Sequence, residues 1–537
     1  MKKFFIVAGM LLIACGACWG QVERPKLVVG IVVDQMRWDY LYRYQSRYSE
    51  GGFKRLLREG YSCESAWIPY IPSITAVGHT TIYTGSLPSI TGIVGNNFVI
   101  DGVKTYCTDD ASVEPVGTTS AAGRMSPRNL QTTTIGDELR IATNGRSKVV
   151  GVALKDRAAI LPAGKNPTGS YWFDDSTGNF ITSTYYAEAL PEWVEEFNAA
   201  RHAEEYLSKV WEPLYDIDTY EESTEDNSPN YEKSVVSGVP ATLPLDLPTL
   251  FKERGYTIIR NTPFGNSLTF DMAKAAVKGE NLGGGTDTDL LAVSCSSTDY
   301  VGHQVGTHAV ETEDMYLRLD LLIADFLSYL DDAVGEGNYL VFLSADHGAM
   351  NNPQFLSDRR IDAGLWSESE ARAAVNGALA EVYPDAGELV KYAMNYQLFF
   401  DMDKIDELGL DYDEIKKIAI RTLEKDERVL YVCDQEKTAM ASIPEPVKQR
   451  IINGYNRLRS GGVQVVTKPR YYHGSLRGTD HGMWNPYDTH IPLVFMGWGI
   501  EHGSTTRKCS MTDIAATVAA LLHIQMPDGC VGQSVFE

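Results

Sequence analysis

The sequence predicts an α/β fold, a doubly wound and mostly parallel sheet with helices on both faces. Two observations predict it: continuous apolar runs such as Lys26–Val33 and Tyr339–Ser344, and helical patterns between such runs, as in Glu313–Leu330. Continuous rather than alternating apolar runs suit strands that are buried on both faces of a parallel sheet. The 537 residues, 44% of them hydrophobic, suffice for one large core. Ligands of such folds bind at the carboxyl ends of the strands.

Residues 1–20 have the layout of a secretory signal: two lysines, a short apolar run and then small residues. Leu12–Cys15 also resembles a bacterial lipoprotein box, which would make Cys15 the lipidated first residue; cleavage before Gln21 is the alternative. We therefore expect a periplasmic or otherwise exported protein, with an outer-membrane lipoprotein as one of the two alternatives. Any membrane contact would be through this anchor, because no later apolar run is long enough to span a bilayer.

Residues 21–537 are predicted to form one catalytic domain with insertions at about 160–285 and 355–470. Both insertions are interpreted as a cap over the sheet, and Trp172 and Phe173 are assigned to the first of them. The formal net charge of -23 argues against a nucleic-acid-binding surface, which needs an excess of Lys and Arg. The six cysteines that follow the signal permit disulfides in an exported protein, and their connectivity is left open.

Carboxylates and imidazoles cluster where the predicted strands end. Each of these residues alone also fits a helix cap, a turn or a satisfied polar end. Together they form a mixed carboxylate and imidazole set that suits zinc, with manganese as the weaker alternative. The set exceeds what one tetrahedral site needs, so two metal ions are expected. The set comprises Asp34 after the first strand, Asp299 and His303 four residues apart after Leu290–Ser294, Asp346 and His347 after Tyr339–Ser344, and His481 before Ile491–Met496.

Thr75, in the stretch Ile71–Gly85, is the candidate nucleophile at a predicted helix start. Its oxygen there could bind a metal ion, and the backbone N–H groups that follow could hold phosphoryl oxygens. Ordinary N-capping by Ser73 or Thr75 is the alternative. His79 is interpreted as a buried structural histidine.

Lys155 and Arg157 follow the run Ser147–Leu154 and are predicted to alternate on the end of that strand. Both side chains would then point to one face and Asp156 to the other. A pair of ion bridges to acidic side chains is the alternative interpretation. If they face the metal set, they provide the positive charge that a phosphate dianion requires.

These motifs together resemble the alkaline phosphatase superfamily, and within it the monomeric, periplasmic, phosphate-irrepressible type. The resemblance covers essentially the whole mature chain through seven further ordered motifs after Asp34 in VVDQMRWDYL. These motifs are SITAVGHTTIYTG, GIVGN, LKDRAAI, TPFGN, STDYVGH, SADHG and GTDHG.

The resemblance implies a zinc-dependent phosphate monoesterase that acts on small-molecule monoesters, as a monomer, through a phosphothreonine at Thr75. One Zn²⁺ would be held by Asp34, Thr75, Asp346 and His347, and the other by Asp299, His303 and His481. Lys155, Arg157 and Asn96 in GIVGN would contact the phosphoryl group, and Asp480 would orient His481.

Four alternatives are considered. Relatives of phosphoglycerate mutase use a similar site, and the predicted export signal argues against that role. A phosphodiesterase or nucleotide pyrophosphatase resembles this chain in its metal ligands, its threonine and its Gly-Asn segment, and Lys155 with Arg157 is the discriminating feature. A sulfatase is disfavoured because the chain contains no C/S-x-P-x-R segment. A non-catalytic zinc- or phosphate-binding surface protein is disfavoured, because Thr75 and all six Asp and His ligands are present.

Overall fold

The computed structural model describes residues 22–224, 228 and 230–536, so the predicted signal and Cys15 lie outside the described residues. It confirms the α/β fold: a ten-stranded central sheet lies between helices. The strands of this sheet are β1 (Leu27–Val33), β2 (Tyr61–Cys63), β3 (Pro115–Val116), β4 (Val149–Ala153), β5 (Gly169–Asp174), β6 (Asn179–Ser183), β7 (Asp289–Cys295), β8 (Tyr339–Ser344), β9 (Leu493–Gly497) and β10 (Gly503–Thr505).

The order across the sheet is β10-β2-β9-β8-β1-β7-β4-β5-β6-β3. The five central strands β8, β1, β7, β4 and β5 are all parallel, and every residue of β1, β7 and β8 is buried. The continuous apolar runs are therefore explained, as predicted, by strands that are buried on both faces of a parallel sheet. Strand β9 is antiparallel to β8 and begins at Leu493 rather than Ile491. Pro492 lacks an N–H group and separates β9 from the short strand His490–Ile491, which pairs with Ala66–Trp67.

Three helices carry residues of the site described below: α1 (Thr75–Thr84), α2 (Asp156–Ala163) and α3 (Ser297–Val305), and the longer helix Val310–Leu330 packs against α3. None of the helices in the described part of the chain is both long and apolar enough to cross a membrane. The remaining α-helices are Tyr40–Arg43, Phe53–Glu59, Pro88–Thr91, Ile135–Ala142, Glu192–Ala199, His202–Leu207, Leu247–Arg254, Pro263–Gly279, Pro353–Asp358, Glu368–Val382, Met402–Glu407, Tyr412–Leu423, Glu445–Gly454, Pro486–Thr489 and Asp513–Leu522.

A second hydrophobic cluster lies apart from the main core, and all of its buried residues except Ile71 and Met483 lie within the range predicted as the second insertion. Its four-stranded antiparallel sheet packs against the helices Glu368–Val382 and Tyr412–Leu423. The strands, in spatial order, are Val390–Met394, Gln397–Phe400, Val463–Thr467 and Val429–Asp434. Shorter strands form the hairpin Asn97–Ile100 with Val103–Tyr106 and the pairs Val210–Trp211 with Leu245–Asp246 and Gly364–Leu365 with Tyr471–Tyr472, and Cys509–Ser510 joins Ala66–Trp67.

The assignment of Trp172 and Phe173 to a cap is wrong. Both lie on β5 of the central sheet and are buried, and Trp172 Nε1 donates to the carbonyl oxygen of Ala122 at 2.8 Å. The range 160–285 therefore contributes β5 and β6 to the sheet, and these aromatics fill its core. All six cysteines of the described chain have free thiols.

Candidate active site

The carboxyl ends of β1, β7 and β8 bring the predicted carboxylates together. Because Val33 pairs with Cys295 and Val32 with Ser344 in parallel register, the residues that follow these strands leave the sheet at one edge. Asp34 follows β1 directly, Asp346 follows β8 after one residue, and Asp299 lies in the first turn of α3, which begins two residues after β7. The fold thus places three acids from distant parts of the sequence in one crevice.

Asp34, Asp346 and His347 form the first of three groups that could hold a metal ion. His347 Nε2 lies 3.4 Å from both Asp34 Oδ1 and Asp346 Oδ2. Both carboxylate oxygens are buried and, among the described residues, accept no hydrogen bond of good geometry; Asp346 Oδ2 lies 3.2 Å from Nδ1 of His79, which already donates to the carbonyl oxygen of Thr75. Buried polar atoms of this kind are normally satisfied, so two unsatisfied oxygens that converge on one imidazole nitrogen fit a cation between them.

Thr75 joins this group as the first residue of α1. Its Oγ1 lies 3.4 Å from His347 Nε2, and the residue is buried. The N-capping alternative does not hold, since Ile74 occupies the N-cap position and Ser73 Oγ donates to the carbonyl oxygen of Met483 at 2.9 Å. The Thr75 hydroxyl therefore faces the carboxylate cluster rather than its own helix.

Asp299, His303 and His481 meet next to the first group. His303 Nε2 lies 3.1 Å from Asp299 Oδ1, because α3 places the two residues on one face, and His481 Nε2 lies 3.8 Å from the same oxygen. The spacing argument for Asp299 and His303 is therefore confirmed as geometry. The two histidines also face each other, with 5.2 Å between their ring centroids.

The three predicted ligand histidines share one hydrogen-bonding pattern. His303, His347 and His481 each place Nδ1 within 3.0 Å of a backbone carbonyl oxygen, that of Thr479, Gly348 and Ser73 respectively. A carbonyl oxygen only accepts, so Nδ1 carries a proton in each ring, and Nε2 is the nitrogen that faces the carboxylates and could bind a metal ion. This pattern is typical of histidines that bind metals through Nε2.

Asp480 appears in a further candidate metal group with His303 and His481. Its Oδ1 accepts the backbone N–H of His481 at 2.9 Å and lies 4.0 Å from Nδ1 of His303, which is already committed to Thr479. The geometry favours a supporting position for Asp480 beside His481 rather than a place among the ligands.

Lys155 lies between the two groups. Its Nζ donates to Asp34 Oδ2 and to Asp299 Oδ2, each at 2.6 Å, and lies 4.9 Å from the centre of the Tyr300 ring. The ammonium group therefore joins an acid of the first group to an acid of the second. Lys155 therefore forms ion pairs with acidic side chains and also faces the predicted metal ligands, so the structure agrees with both interpretations of this residue.

The predicted strand geometry of Lys155 and Arg157 is wrong. Strand β4 ends at Ala153, Lys155 is the N-cap of α2, and Asp156 and Arg157 are its first two residues. Asp156 does not point away from its neighbours, because it accepts hydrogen bonds from Tyr106 Oη at 3.0 Å and from Thr108 Oγ1 at 2.5 Å. The helix begins here because Asp156 in its first turn and the alanines that follow favour it.

Tyr106 is a residue of this site that the sequence did not reveal. Its hydroxyl accepts a hydrogen bond from Arg157 Nη1 at 2.9 Å and donates one to Asp156, so it holds the start of α2 from both sides. Arg157 Nε is buried and, among the described residues, has no hydrogen-bond partner. Only the pairing of the hairpin Asn97–Ile100 with Val103–Tyr106 brings Tyr106 here, and no local pattern marks it.

Asn96 touches the start of α1. Its Oδ1 accepts the backbone N–H of Ala76 at 3.0 Å, which leaves the two hydrogens of its Nδ2 available as donors. The expectation that backbone N–H groups after Thr75 hold phosphoryl oxygens is therefore wrong for Ala76. The amide of Asn96 occupies that N–H and presents its own donors instead.

His79 is buried on α1, as predicted. Its Nδ1 donates to the carbonyl oxygen of Thr75 at 2.9 Å, and its Nε2 lies 2.7 Å from Ser294 Oγ on β7. Both ring nitrogens are thus used to hold the first turn of α1 against the sheet.

The electrostatics of the crevice show too little positive charge for its acids. Burial and repulsion from Asp346 raise the pKa of Asp34 well above its ordinary range, although Lys155 opposes the shift. Burial alone would lower the pKa of His303, but Asp299 raises it to about 9. Burial and the neighbouring His347 and His303 lower the pKa of His481 to about 3. Three buried carboxylates thus face Lys155 and His303, and this surplus of acidic groups is compatible with a bound cation.

A family model described as type I phosphodiesterase / nucleotide pyrophosphatase matches residues 28–490. The matched region spans β1 to His490 and contains every predicted site residue.

Two relatives cover nearly the whole chain. A protein of Myroides odoratus named calcium-transporting ATPase is 50% identical over 523 residues, which cover 96% of this chain and 95% of the relative. Alkaline phosphatase PafA of Elizabethkingia meningoseptica is 50% identical over 520 residues, with the same coverage of 96% and 95%.

A solved structure also matches. The crystal structure of wild-type alkaline phosphatase PafA superposes with a TM-score of 0.94 at 49% identity, covering 96% of this chain and 99% of that one. Fold and sequence therefore agree along the same length.

Proposed function

The chain is an alkaline phosphatase of the type I phosphodiesterase / nucleotide pyrophosphatase family, and from that premise we propose that it hydrolyses phosphate monoesters with two Zn²⁺ ions and a phosphothreonine at Thr75. The convergence of Asp34 Oδ1, Asp346 Oδ2 and His347 Nε2, none of which is satisfied by the others, carries the proposal. Thr75 Oγ1 lies beside that group, at 3.4 Å from His347 Nε2.

Asp34, Thr75, Asp346 and His347 would hold one ion, and Asp299, His303 and His481 the other. The donor set of carboxylates and neutral imidazoles suits Zn²⁺, and the buried excess of negative charge calls for it. When bound, two such ions stabilise the attacking and the leaving oxygen of an in-line displacement at phosphorus.

The covalent steps of the proposed reaction involve Thr75 and water. Thr75 Oγ1 loses its proton to solvent and bonds to phosphorus while the bond to the ester oxygen breaks; the leaving oxygen then takes a proton from solvent. Water next attacks the phosphorus of phosphothreonine, which releases inorganic phosphate and returns the proton to Thr75. His79 keeps Thr75 in place, because it binds the carbonyl oxygen of that residue.

Three donors are proposed to recognise the phosphoryl group. Arg157 has a free Nε donor, Asn96 has a free Nδ2, and Lys155 retains one N–H beyond the two that it gives to Asp34 and Asp299. A monoester carries one more negative charge than a diester, so these donors favour the monoester. Small-molecule phosphate monoesters are the proposed substrates.

A phosphodiesterase activity is the second candidate, because the family model that matches residues 28–490 bears that description. Lys155 and Arg157 at the start of α2 argue against a diester substrate, because a diester has one negative charge fewer to pair with these two cations. The name of the Myroides relative refers to an ATPase, and ATP hydrolysis is also phosphoryl transfer to water. Both printed names are therefore compatible with a phosphoryl hydrolase.

Thr75→Ala tests the nucleophile. We expect monoesterase kcat/KM to fall by roughly 10⁴–10⁶, as for other enzymes that lose their nucleophile. Thr80→Ala is the matched control on the same helix: Thr80 is buried, and its Oγ1 donates to the carbonyl oxygen of Ala76 at 2.7 Å. This variant should keep nearly full activity. Acid quenching during turnover and mass spectrometry should locate phosphate on Thr75. Retention of monoesterase activity by Thr75→Ala would refute the proposed intermediate.

We further propose export to the periplasm and a monomeric state. Export rests on residues 1–20 and Cys15, which lie outside the described residues. Mass spectrometry of the mature N-terminus distinguishes a lipidated Cys15 from cleavage before Gln21.

A further inference from the structure

Gln35 lies between the two predicted ligand groups and belongs to neither. Its backbone N–H donates to Asp346 Oδ1 at 3.1 Å, and its side-chain Nε2 donates to Asp299 Oδ1 at 2.7 Å. The preceding residue is Asp34, so one residue is joined to three carboxylates of the site. Only 3% of Gln35 is exposed.

The backbone at Gln35 is strained. Its φ of 67° lies in the left-handed region, where residues other than glycine are uncommon. Such a conformation is unfavourable for a residue with a side chain and persists where the surroundings impose it, most often at functional sites. The turn after β1 therefore gives up stability to aim a long amide side chain into the crevice.

Helix α3 makes room for that side chain at Gly302. An ideal Cβ on Gly302 would lie 1.9 Å from Gln35 Oε1. Gly302 stands between Asp299 and His303, so the helix that carries two predicted ligands also accommodates the amide. The unusual backbone at Gln35 and the missing side chain at Gly302 are two separate adaptations to the same contact.

We propose that Gln35 is a positioning residue that fixes the two metal groups relative to each other. The inference rests on the proposed two-metal function. The backbone N–H holds Asp346 of the first group, and the side-chain amide holds Asp299 of the second. A neutral amide does this without adding a charge, whereas Lys155, the other group that touches both sets, also neutralises them. Hydrogen bonds to ligand side chains typically change metal affinity by about 10–100-fold when they are removed.

Two substitutions separate positioning from folding. Gln35→Gly removes the amide donor but suits a positive φ, so the metal-free protein should keep its thermal midpoint. Gln35→Glu keeps the length of the side chain and replaces the donor by a carboxyl group next to Asp299. Both variants retain the backbone N–H to Asp346.

Gln435→Glu is the matched control. Gln435 directly follows the strand Val429–Asp434 and is also 3% exposed, and its Nε2 donates to the carbonyl oxygen of Gly461 at 2.9 Å. This substitution imposes the same chemical change at equal burial. It should lower the thermal midpoint and leave zinc binding unchanged.

The experiment measures how many Zn²⁺ ions each full-length variant binds and how tightly, by competition with a coloured chelator. We expect both Gln35 variants to bind one of the two ions about 10–100-fold more weakly than the unsubstituted protein. Added zinc should restore much of the kcat of Gln35→Gly. Unchanged affinities in both Gln35 variants, or equal weakening in Gln435→Glu, would overturn the inference. If the unsubstituted protein itself binds fewer than two Zn²⁺ ions, the proposed two-metal function fails and this inference with it.

Discussion

Two buried lysines, one in the active-site crevice and one in the second hydrophobic cluster, have similar partners and different surroundings. The side chains of Lys155 and Lys416 are both 1% exposed, and each Nζ lies within 5 Å of the centre of a tyrosine ring, Tyr300 or Tyr412. Lys155 contacts Asp34 and Asp299, whose side chains are 0% and 5% exposed. The two sites therefore differ in the solvent exposure of the acidic side chains and not in the exposure of the lysine.

Lys416 contacts Asp434, Glu436 and Asp413 at 2.8, 3.1 and 3.3 Å, and two of these acids are about half exposed. Water can solvate their remaining charge, so the cluster is complete as a structural ion network. The acids around Lys155 have no such access to water and are joined by the buried Asp346. A buried excess of carboxylates marks a cation site, whereas an exposed excess does not.

Metal removal should have the largest effect, and that effect should arise from the acids around Lys155 and not from those around Lys416. Exhaustive chelation should abolish phosphatase activity and lower the thermal midpoint, because the carboxylates around Lys155 then repel one another without compensation. Zinc should restore both properties, and magnesium should not, because the three histidines favour zinc. Activity and thermal unfolding after dialysis and refilling are the measurements. Loss of activity that zinc does not restore would contradict the zinc assignment.

Replacing the two lysines by methionine should divide activity from stability. Lys155→Met should lower monoesterase kcat/KM by about 10²–10³, as expected for the loss of one well-placed donor. Lys416→Met should lower the thermal midpoint and leave kcat/KM nearly unchanged. Equal losses of activity in both variants would show that Lys155, like Lys416, only supports the fold.

Tyr106→Phe should have a smaller effect, because it removes only the hydroxyl that accepts from Arg157 and donates to Asp156. The loss of one hydrogen bond predicts a decrease of about tenfold in kcat/KM for monoesters and less for diesters. Tyr339→Phe is the control, since its hydroxyl donates to Asp331 at 2.6 Å, far from the crevice. A loss in the control of the same size would indicate a general effect on the fold.

The smallest expected effect is on the pH dependence of stability at Lys416. Hydrogen bonds from Lys437 and Lys416 lower the pKa of Asp413. A carboxyl group with a lowered pKa stabilises the fold above its unfolded value of about 3.9, and this contribution is lost as pH falls through the folded pKa. The difference in thermal midpoint between the unsubstituted protein and Lys416→Met should therefore shrink between pH 7 and pH 3. A difference that stays constant would exclude an electrostatic role for Lys416.

Much of the fold follows from the sequence, because strands buried on both faces require the continuous apolar runs seen at β1 and β8. The carboxylates at the strand ends follow from the same pattern, since parallel strands leave the sheet at one edge. The predicted strand geometry of Lys155 and Arg157 is wrong because β4 ends at Ala153 and the chain then begins helix α2. Over three residues, the strand period of two and the helix period of 3.6 cannot be distinguished.

The supporting residues of the site could not be predicted, for a different reason. Tyr106 meets Arg157 across 51 residues of sequence, and Gln35 meets Asp299 across 264. Such contacts depend on the register of strands and on the turn at each strand end. Local sequence constrains these features only where a glycine or proline marks them, as Pro492 does at the start of β9.

The proposed monoesterase function is tested most directly by the ratio of kcat/KM for p-nitrophenyl phosphate to that for methyl p-nitrophenyl phosphate, measured on zinc-replete protein. We expect a ratio well above one, which falls in Lys155→Ala and in Arg157→Ala because both side chains favour the dianion. A ratio below one that neither substitution changes would contradict it. Such a result would assign the protein a phosphodiesterase activity and leave Lys155 and Arg157 as structural ion partners.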